Sequence, residues 1–258
     1  MGSQRKIASI LSAYDDLIEN NTRRIHILEE MAAAIYREWF VEFRYPGHER
    51  VPLVDSELGP IPEGWSIRML SMLARITMGQ SPPSAAYNRK GIGLPFHQGV
   101  GTYGTHYPVH QVHSTSGLRI AEPGDTLVSV RAPVGRINIA DRRLILGRGV
   151  CAVGSGGAPN GFLLHALKDV FREEDAMGNG SIFKAVTRGD MERIPVRWPG
   201  DEHARRFGDT VAPMWELIGG LTIGVGNLRA ARDLLLPRLI SGEIDVSDLD
   251  IDTSGLVA

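Results

Sequence analysis

The N-terminal part of the chain carries a regular apolar repeat, which reads IASILSAYDDLIENNTRRIHILEEMAAAIYREWF from Ile7 to Phe40. Its apolar positions recur at alternating steps of four and three residues, the heptad pattern of a coiled coil. Because Pro46 disfavours helical backbone at the residue before it, we predict one long helix that ends near Arg44. The seam of this helix contains Ile7, Leu11, Tyr14, Ile18, Asn21, Ile25, Leu28, Ala32, Ile35 and Trp39.

Asn21 is the only strongly polar member of this seam. A buried asparagine in a coiled coil fixes the register and the number of partner helices at some cost in stability. We therefore predict that the seam is a helix–helix interface. The predicted interface residues of the first helix are Ile18, Asn21, Ile25, Leu28, Ile35 and Trp39.

A second heptad seam follows the turn Pro199-Gly200-Asp201, where Asp201 is the predicted N-cap and Gly242 the predicted stop. We expect Pro213 and Pro237 to bend this helix and the four glycines between Gly219 and Gly226 to weaken it. The helix therefore needs a partner. Two arrangements remain open, an antiparallel hairpin within the chain and further docking of other subunits. The predicted interface residues here are Ile218, Leu221, Leu228 and Leu235.

The middle of the chain is richer in glycine and proline and carries short alternating apolar runs, which indicate strands. One helix is predicted at Phe162–Ala176. The fold class is α+β, with one mixed α/β domain flanked by two long helices that form an antiparallel coiled-coil arm. The predicted segments are residues 1–46, 47–200 and 201–258. The predicted strands are Leu127–Val130, Arg136–Ala140, Leu144–Leu146, Gly149–Val153 and Ile194–Trp198.

Charge is distributed unevenly along the 258 residues, although the formal net charge is only −2. Residues 50–200 hold 17 basic and 12 acidic side chains, whereas residues 1–49 hold 6 and 8, and residues 201–258 hold 5 and 10. The middle segment is thus basic and the flanks are acidic. Such an excess is compatible with an anionic partner but is weak evidence alone.

Composition excludes several classes of protein. No stretch approaches the roughly 18 apolar residues of a membrane helix, and no signal-peptide pattern begins the chain, so we expect a cytoplasmic protein. Cys151 is the single cysteine, stands among apolar residues, and is expected to be a buried small residue.

Motifs that suggest chemistry fail on their context. Gly99-Val-Gly-Thr-Tyr-Gly104 matches a dinucleotide-binding pattern, but Pro108 and the lack of a following helix argue against it. Ser81-Pro-Pro-Ser84 lacks the aromatic residue with which amino-methyltransferases stack a flipped base. His106, His110 and His113 have suggestive metal spacings without an acidic or cysteine neighbour in the sequence. We predict no catalytic, cofactor or metal site.

Five segments together resemble the specificity subunits of type I restriction-modification systems. The Leu58–Trp65 stretch resembles the start of a target-recognition domain in that family, and Leu228–Ile244 resembles the helix that follows one. The other similar stretches are Gly79-Gln-Ser-Pro-Pro-Ser84 with Tyr87-Asn88 and Gly93–Gly99, then Val130–Gly135 with Gly147–Gly149, and finally Gly180–Ala185 with Ile194-Pro195.

The resemblance implies a DNA sequence-recognition subunit without catalysis of its own. Separate methyltransferase and restriction/translocase subunits would hold S-adenosylmethionine, ATP and magnesium, and double-stranded DNA would be the shared ligand. Family members usually have two recognition domains, each for half of a split site, whereas this sequence has one. We expect a homodimer joined through the helices. The alternatives are a fragment that supplies one domain to another subunit, a coiled-coil scaffold, and a recognition module of a different DNA-modification or defence complex.

Polar side chains on the predicted loops are the expected DNA contacts, because bidentate groups read bases whereas cations and hydroxyls hold phosphates. Arg89 and Lys90 are expected on phosphates, and Asn88 and Gln98 on bases. Arg131 has a competing structural role as a donor to nearby carbonyls. The full set is Gln80, Ser81, Tyr87, Asn88, Arg89, Lys90, Gln98, Thr102, Tyr103, His106, Arg131, Arg136, Lys184 and Arg188.

Overall fold

The structure, a computed structural model, describes residues 2–172 and 185–251. Its described part divides into two compact units. The first holds the residues up to Ile35 together with those from Val211 onward, and the second holds Tyr36–Thr210. The second unit begins earlier than the predicted boundary at residue 47, because the end of the first helix supplies aromatic side chains to its core.

The first unit is built from the greater part of two long helices, α1 (Gly2–Phe40) and α5 (Asp201–Ile240), whose remaining residues belong to the second unit. Their seams meet in a cluster of Ile18, Ile25, Ile218 and Val225, with Leu28, Trp215, Leu221 and Leu228 packed against it. An ion pair joins Arg232 Nη1 to Asp15 Oδ1 at 2.6 Å, and Lys6 Nζ donates to the Ser247 carbonyl at 2.6 Å. Early residues of α1 therefore face late residues of α5, which confirms the predicted antiparallel hairpin.

The predicted seam residues are used mainly inside this hairpin. Ile18, Ile25 and Ile218 are buried, while Asn21, Leu28, Ile35, Leu221, Leu228 and Leu235 are half-buried. Trp39 differs, since it belongs to the second unit, where its ring lies 6.0 Å from that of Phe207. The seam thus serves contacts within the chain, and its use by a partner chain stays a prediction.

The helix ends differ slightly from the prediction. Helix α1 stops at Phe40 rather than near Arg44, and Phe43 then takes a positive φ of 58° that ends the helical backbone. Asp201 lies within α5 as its first residue rather than before it. Helix α5 continues through Pro213 and Pro237, since tertiary packing of its apolar face outweighs local propensity. Gly242 has the positive φ expected after a helix end.

The second unit holds the strands and three further helices. These helices are α2 (Leu70–Leu73), α3 (Asn160–Val170) and α4 (Arg188–Glu192). The strands are β1 (Leu53–Val54), β2 (Ile61–Pro62), β3 (Ser66–Met69), β4 (Ala74–Met78), β5 (Tyr87–Asn88), β6 (Leu94–His97), β7 (His113–Ser114), β8 (Ile120–Ala121), β9 (Thr126–Ser129), β10 (Ile137–Ile139), β11 (Leu144–Leu146), β12 (Val150–Ser155) and β13 (Pro195–Trp198). Short 3₁₀ helices occur at His48–Arg50, Ser84–Ala86 and Val100–Thr102.

Two sheets form the body of this unit. One has four antiparallel strands in the order β10, β9, β12, β4. The other has five strands in the order β5, β7, β6, β11, β8, in which β6 and β11 run parallel and the other neighbours run antiparallel. Strands β1 with β2 and β3 with β13 form two separate pairs. The α+β class is therefore confirmed.

Apolar side chains from both sheets make one core cluster. It contains Leu127, Leu144, Leu146, Val150 and Ala152 among its fully buried members. Cys151 is also fully buried, as predicted from its apolar neighbours, and burial raises the pKa of its thiol to about 12. A thiol held in this state is chemically inert.

An aromatic cluster around Phe40 forms the other part of the core. The Phe40 ring lies 5.1 Å from Phe207, 5.2 Å from Phe162 and 5.8 Å from Trp65, and its side chain is 1% exposed. Edge-to-face contacts of this kind add to the burial of the rings themselves. Among the described residues, no helix combines the length and the apolarity that are required to cross a membrane.

Candidate nucleic-acid interface

Three backbone segments meet where the two sheets of the second unit come together. They are residues 79–81, which follow β4, residues 97–99 at the end of β6, and residues 147–149, which link β11 to β12. Backbone bonds join them: Gln80 N donates to Leu146 O at 2.9 Å, Gly147 N to His97 O at 2.8 Å, and Gly149 N to Gln98 O at 3.0 Å. We call this region the three-segment junction.

Glycine is required at the three-segment junction because its segments lie too close for side chains. A Cβ atom on Gly79 would lie 2.1 Å from the Gly147 carbonyl oxygen, and one on Gly147 would lie 2.7 Å from Gln98 Cα. A Cβ on Gly149 would lie 2.5 Å from the Gln98 carbonyl oxygen. The junction is therefore fixed by backbone contacts, which hold the residues between the glycines in set positions.

Polar side chains emerge from this junction. Ser81 Oγ donates to Gln98 Oε1 at 2.7 Å, and the Arg148 backbone N–H points at Ser81 Oγ at 3.4 Å. Gln80, Gln98 and Arg148 are exposed, and Ser81 is half-buried. A guanidinium can donate two hydrogen bonds to a guanine edge, and an amide can donate one and accept one at an adenine edge.

Arg131 extends this set of side chains. The neighbouring Val130 donates its backbone N–H to Gly149 O at 3.0 Å, which brings Arg131 beside the junction. Arg131 also forms an isolated bridge with Ala185, and its side chain is exposed. We define the junction surface as Gln80, Ser81, Gln98, Arg131 and Arg148. Four of these were predicted from the sequence.

Arg148 is the member that the sequence prediction missed. The sequence signal for this residue is its position between Gly147 and Gly149. When two flanking glycines pack against other segments, the charged side chain between them is directed to solvent. Both glycines are buried while Arg148 is exposed. In the sequence, Gly147–Gly149 contributes to the family resemblance but does not by itself indicate a DNA contact.

The predicted loop after β5 separates into structural and exposed residues. Asn88 was expected to read a base, but its Nδ2 donates to Ile92 O at 2.8 Å and its Oδ1 accepts from Lys90 N and Ile92 N at 3.0 Å each. Its amide is therefore occupied in closing the turn. The Tyr87 hydroxyl donates to Pro82 O, and its ring lies 4.7 Å from that of Phe96. Arg89 and Lys90 project from this turn as exposed cations.

Three other predicted contacts are buried or half-buried. Tyr103 packs against the core cluster, and burial raises the pKa of its phenol strongly. His106 is 5% exposed. The Thr102 hydroxyl is engaged with His97 Nδ1 at 2.7 Å. Tyr103 and His106 therefore keep their polar atoms away from solvent, whereas Thr102 is half-buried with its hydroxyl bonded to His97.

A hydrogen-bonded chain lies behind Gln98. His97 Nε2 and His110 Nδ1 are 3.0 Å apart, and His110 Nε2 is 3.0 Å from both carboxylate oxygens of Asp141. Burial, together with the neighbouring His110, lowers the pKa of His97 to about 4. Burial alone would raise the pKa of Asp141, but the hydrogen bond from His110 and the charge of Arg142 hold it below its usual value. These hydrogen bonds hold His97 in place at the end of β6, next to Gln98.

No acidic residue is adjacent to the three histidines in the sequence, but the fold brings one to His110. Asp141 lies 31 positions beyond His110 in the sequence and reaches it through the fold. Even so, within residues 2–172 and 185–251 no three histidine, cysteine, aspartate or glutamate side chains converge as ligands for a metal ion.

The remaining predicted cations differ in their surroundings. Arg188 begins α4 and pairs with Glu192 through Nε and Oε1 at 2.7 Å. Arg136 is exposed, and its backbone N–H donates to Ser129 Oγ at 2.9 Å. Lys184 lies outside the described residues. Contact of these residues with DNA stays a prediction.

Comparison with known proteins identifies relatives of this architecture, although no protein-family model matches the sequence. The chain is 32% identical over 247 residues to the type I restriction enzyme MjaX specificity subunit of Methanocaldococcus jannaschii, with 94% of this chain and 57% of that protein aligned. Among solved structures, the HsdS subunit of Thermoanaerobacter tengcongensis matches with a TM-score of 0.54 and 25% identity, over 95% of this chain and 59% of that one.

A third match supports the fold alone. The type I restriction-modification S subunit from M. genitalium is 15% identical with a TM-score of 0.69, over 93% of this chain and 61% of that one. This chain thus spans somewhat more than half of the length of the relatives it matches. Over that length it is similar to the specificity subunits of type I restriction-modification systems.

Proposed function

We propose that this chain is a DNA sequence-recognition subunit of a type I restriction-modification complex and reads one half of a bipartite site. The observation that carries the proposal is the relationship to a specificity subunit across 94% of the chain. The exposed amides and cations of the junction surface are the chemistry that such a role requires, since amides and guanidinium groups read bases and cations hold phosphates.

The partners in this proposal are methyltransferase subunits and a restriction/translocase subunit. The outer faces of the first unit support such docking, because they carry large apolar side chains that the hairpin leaves exposed. Exposed apolar side chains of this size can provide the contact area that a partner subunit would bury. These side chains are Leu17, Ile27, Met31, Leu217, Ile223, Leu234, Leu236, Ile240 and Leu249.

The chain would bind DNA without catalysing a reaction. S-adenosylmethionine, ATP and magnesium would then belong to the partner subunits, which perform methylation and DNA translocation. The site of action would be the cytoplasm, where the complex meets incoming and chromosomal DNA. In this arrangement the present chain contributes only the choice of sequence, which makes its role in modification testable by removing it.

A genome-wide map of modified adenines, made with and without the gene for this chain, tests the proposal. We expect a split sequence motif that is methylated only when the gene is present. An unchanged methylation map would contradict the recognition role. Restoring the gene in trans is the control, and it should restore the same motif.

We further propose that two copies of the chain associate, since one recognition domain reads one half-site and symmetric dimers read palindromic sites. Light scattering of the purified chain with its methyltransferase subunit measures the number of copies. An active complex with one recognition chain would contradict the homodimer and favour a chain that supplies its domain to another subunit. Failure of that complex to retain duplex DNA at low salt would favour a coiled-coil scaffold.

A further inference from the structure

The backbone on both sides of Arg148 is packed against another segment of the second unit. Gly147 and Gly149 are buried and bonded to the carbonyl oxygens of His97 and Gln98. No side chain larger than hydrogen fits at either glycine without displacing backbone atoms. The Cα atom of Arg148 is therefore anchored on both sides, while its side chain points to solvent.

The guanidinium of Arg148 is also available for a ligand. Among the described residues, no carboxylate pairs with it. Arg142, Arg143 and Arg193 by contrast form ion pairs with Asp141, Glu122 and Asp190. An exposed and unpaired guanidinium keeps its five N–H donors free for a ligand. Because the backbone is already fixed, only the arginine side chain itself has to be ordered on binding.

The neighbouring Gln98 is held in a defined orientation. Its Oε1 accepts the Ser81 hydroxyl at 2.7 Å, which leaves the amide NH₂ as the donor that faces outward. The Ser81 hydroxyl in turn faces the Arg148 backbone at 3.4 Å. Ser81 thus contacts both the side-chain amide of Gln98 and the backbone from which the Arg148 side chain extends.

We infer that Arg148 is a specificity-determining residue that reads a guanine in the half-site through two hydrogen bonds to its O6 and N7 atoms. The inference rests on the proposed DNA-recognition function and names a residue that performs it. A phosphate contact needs only a positive charge, whereas a bidentate base contact needs a planar fork at a fixed position. The two packed glycines fix the Cα atom from which the Arg148 fork extends.

The decisive substitution is Arg148→Lys, because it keeps the charge and removes the planar fork. The matched control is Arg143→Lys, which makes the same change at the other end of β11, where the arginine is already paired with Glu122. Arg148→Ala tests removal of the charge. Thermal unfolding of all three variants should match that of the wild type, since these side chains are exposed.

Each protein, in complex with its methyltransferase subunit, is used to select duplexes from a library of randomised DNA. We expect the wild type to enrich a motif that contains a guanine, and Arg148→Lys to lose the preference for that guanine by about tenfold while the other positions keep theirs. Arg143→Lys should enrich the wild-type motif. The salt dependence of binding should be the same for Arg148→Lys and the wild type.

Two results would overturn the inference and leave the recognition function intact. In the first, Arg148→Lys keeps the full preference at every position of the motif. In the second, Arg148→Ala weakens binding to all sequences equally and lowers the salt slope by about one, as loss of a phosphate contact would. If the wild type itself enriches no sequence, the recognition function fails as well, so the two failures are distinguishable.

Discussion

Gly79, Gly147 and Gly149 let three backbone segments approach one another more closely than any side chain allows. Each faces a carbonyl oxygen or a Cα atom of another segment rather than the end of a flexible side chain, so the neighbour cannot move aside. The position of Gln98, Ser81 and Arg148 depends on this approach. The absence of a Cβ atom at these three glycines therefore determines the geometry of the junction surface.

Gly79→Ala should disrupt the three-segment junction, because the added methyl would lie 2.1 Å from the Gly147 carbonyl oxygen. We expect a loss of about 1–3 kcal/mol in the free energy of unfolding, the range for overpacked sites, together with weaker DNA binding. Urea denaturation measures the first quantity. Gly101→Ala is the control, since nothing lies within 4 Å of its Cβ, and it should change stability by less than about 0.5 kcal/mol. Equal effects at both positions would contradict the argument.

The stability of the protein should fall as pH drops from about 7 to 4, and His97 should cause part of the fall. Its pKa is about 4 in the folded protein and 6.5 in the unfolded reference, so the unfolded chain binds the proton more readily over this interval. Stability from the neutral ring is fully present above pH 6.5 and is lost toward pH 4, by an amount on the order of 3 kcal/mol.

His97→Gln tests this pH dependence, because the amide keeps hydrogen-bonding capacity and does not titrate. Urea denaturation at several pH values should give a shallower decline between pH 6.5 and 4 for the variant than for the wild type. The lowered pKa of Asp141 acts below this window, since a carboxylate of this kind loses its contribution only as pH falls below its usual value. Identical slopes for the two proteins would exclude His97 as the cause.

At the scale of elements, helix α5 shows how packing outweighs propensity. It contains two prolines and several glycines, yet it remains continuous from Asp201 to Ile240. Its seam residues face α1, and Ile218 is fully buried there, whereas Ile223 on the same helix is 67% exposed. The helix is thus stabilised along one face only.

Ile218→Ala and Ile223→Ala form a matched pair on this helix. The first removes buried methyl groups and leaves a cavity, so we expect a loss of about 2–5 kcal/mol in stability. The second should change stability by less than about 0.5 kcal/mol, since its side chain is already in solvent. Denaturation monitored by circular dichroism at the helical band measures both. If Ile223→Ala alone abolished binding of the methyltransferase subunit, the outer face would be a docking surface.

At the scale of the molecule, the basic excess of residues 50–200 is borne by the unit that carries the junction surface. Arg89 and Lys90 are exposed cations on the turn that Asn88 closes. They stand apart from the paired arginines of the same unit. Long-range attraction to a polyanion is therefore expected from the sheet-containing unit and not from the acidic flanks.

Alanine at Arg89 or Lys90 should weaken binding to every DNA sequence alike. Each phosphate contact that is lost should lower the slope of log K against log salt by about one. Titration of duplex DNA at several salt concentrations measures this slope. Glu49→Gln on a short 3₁₀ helix is a control change of charge that should leave sequence choice unaltered. An unchanged slope in both alanine variants would remove these residues from the interface.

The accuracy of the strand predictions depends on how long and how apolar each strand is. Leu144–Leu146 was predicted to the residue, and the strands at Thr126–Ser129 and Val150–Ser155 within two residues, because they are apolar runs buried in the core. Two-residue strands such as Tyr87–Asn88 and His113–Ser114 carry no recognisable period. Their pairing is decided by partners distant in the sequence, so no local pattern could have indicated them.

By itself, the sequence determined the long helices, their heptad seams and the mixed character of the middle domain, because these depend on the spacing of neighbouring apolar residues. The tertiary structure alone decided which polar residues reach the surface. Asn88 is occupied by its own turn and Tyr103 is packed into the core, whereas Arg148 is presented by two glycines whose close contacts come from other segments. Exposure of a loop side chain depends on what folds against it, and that information lies in distant parts of the chain.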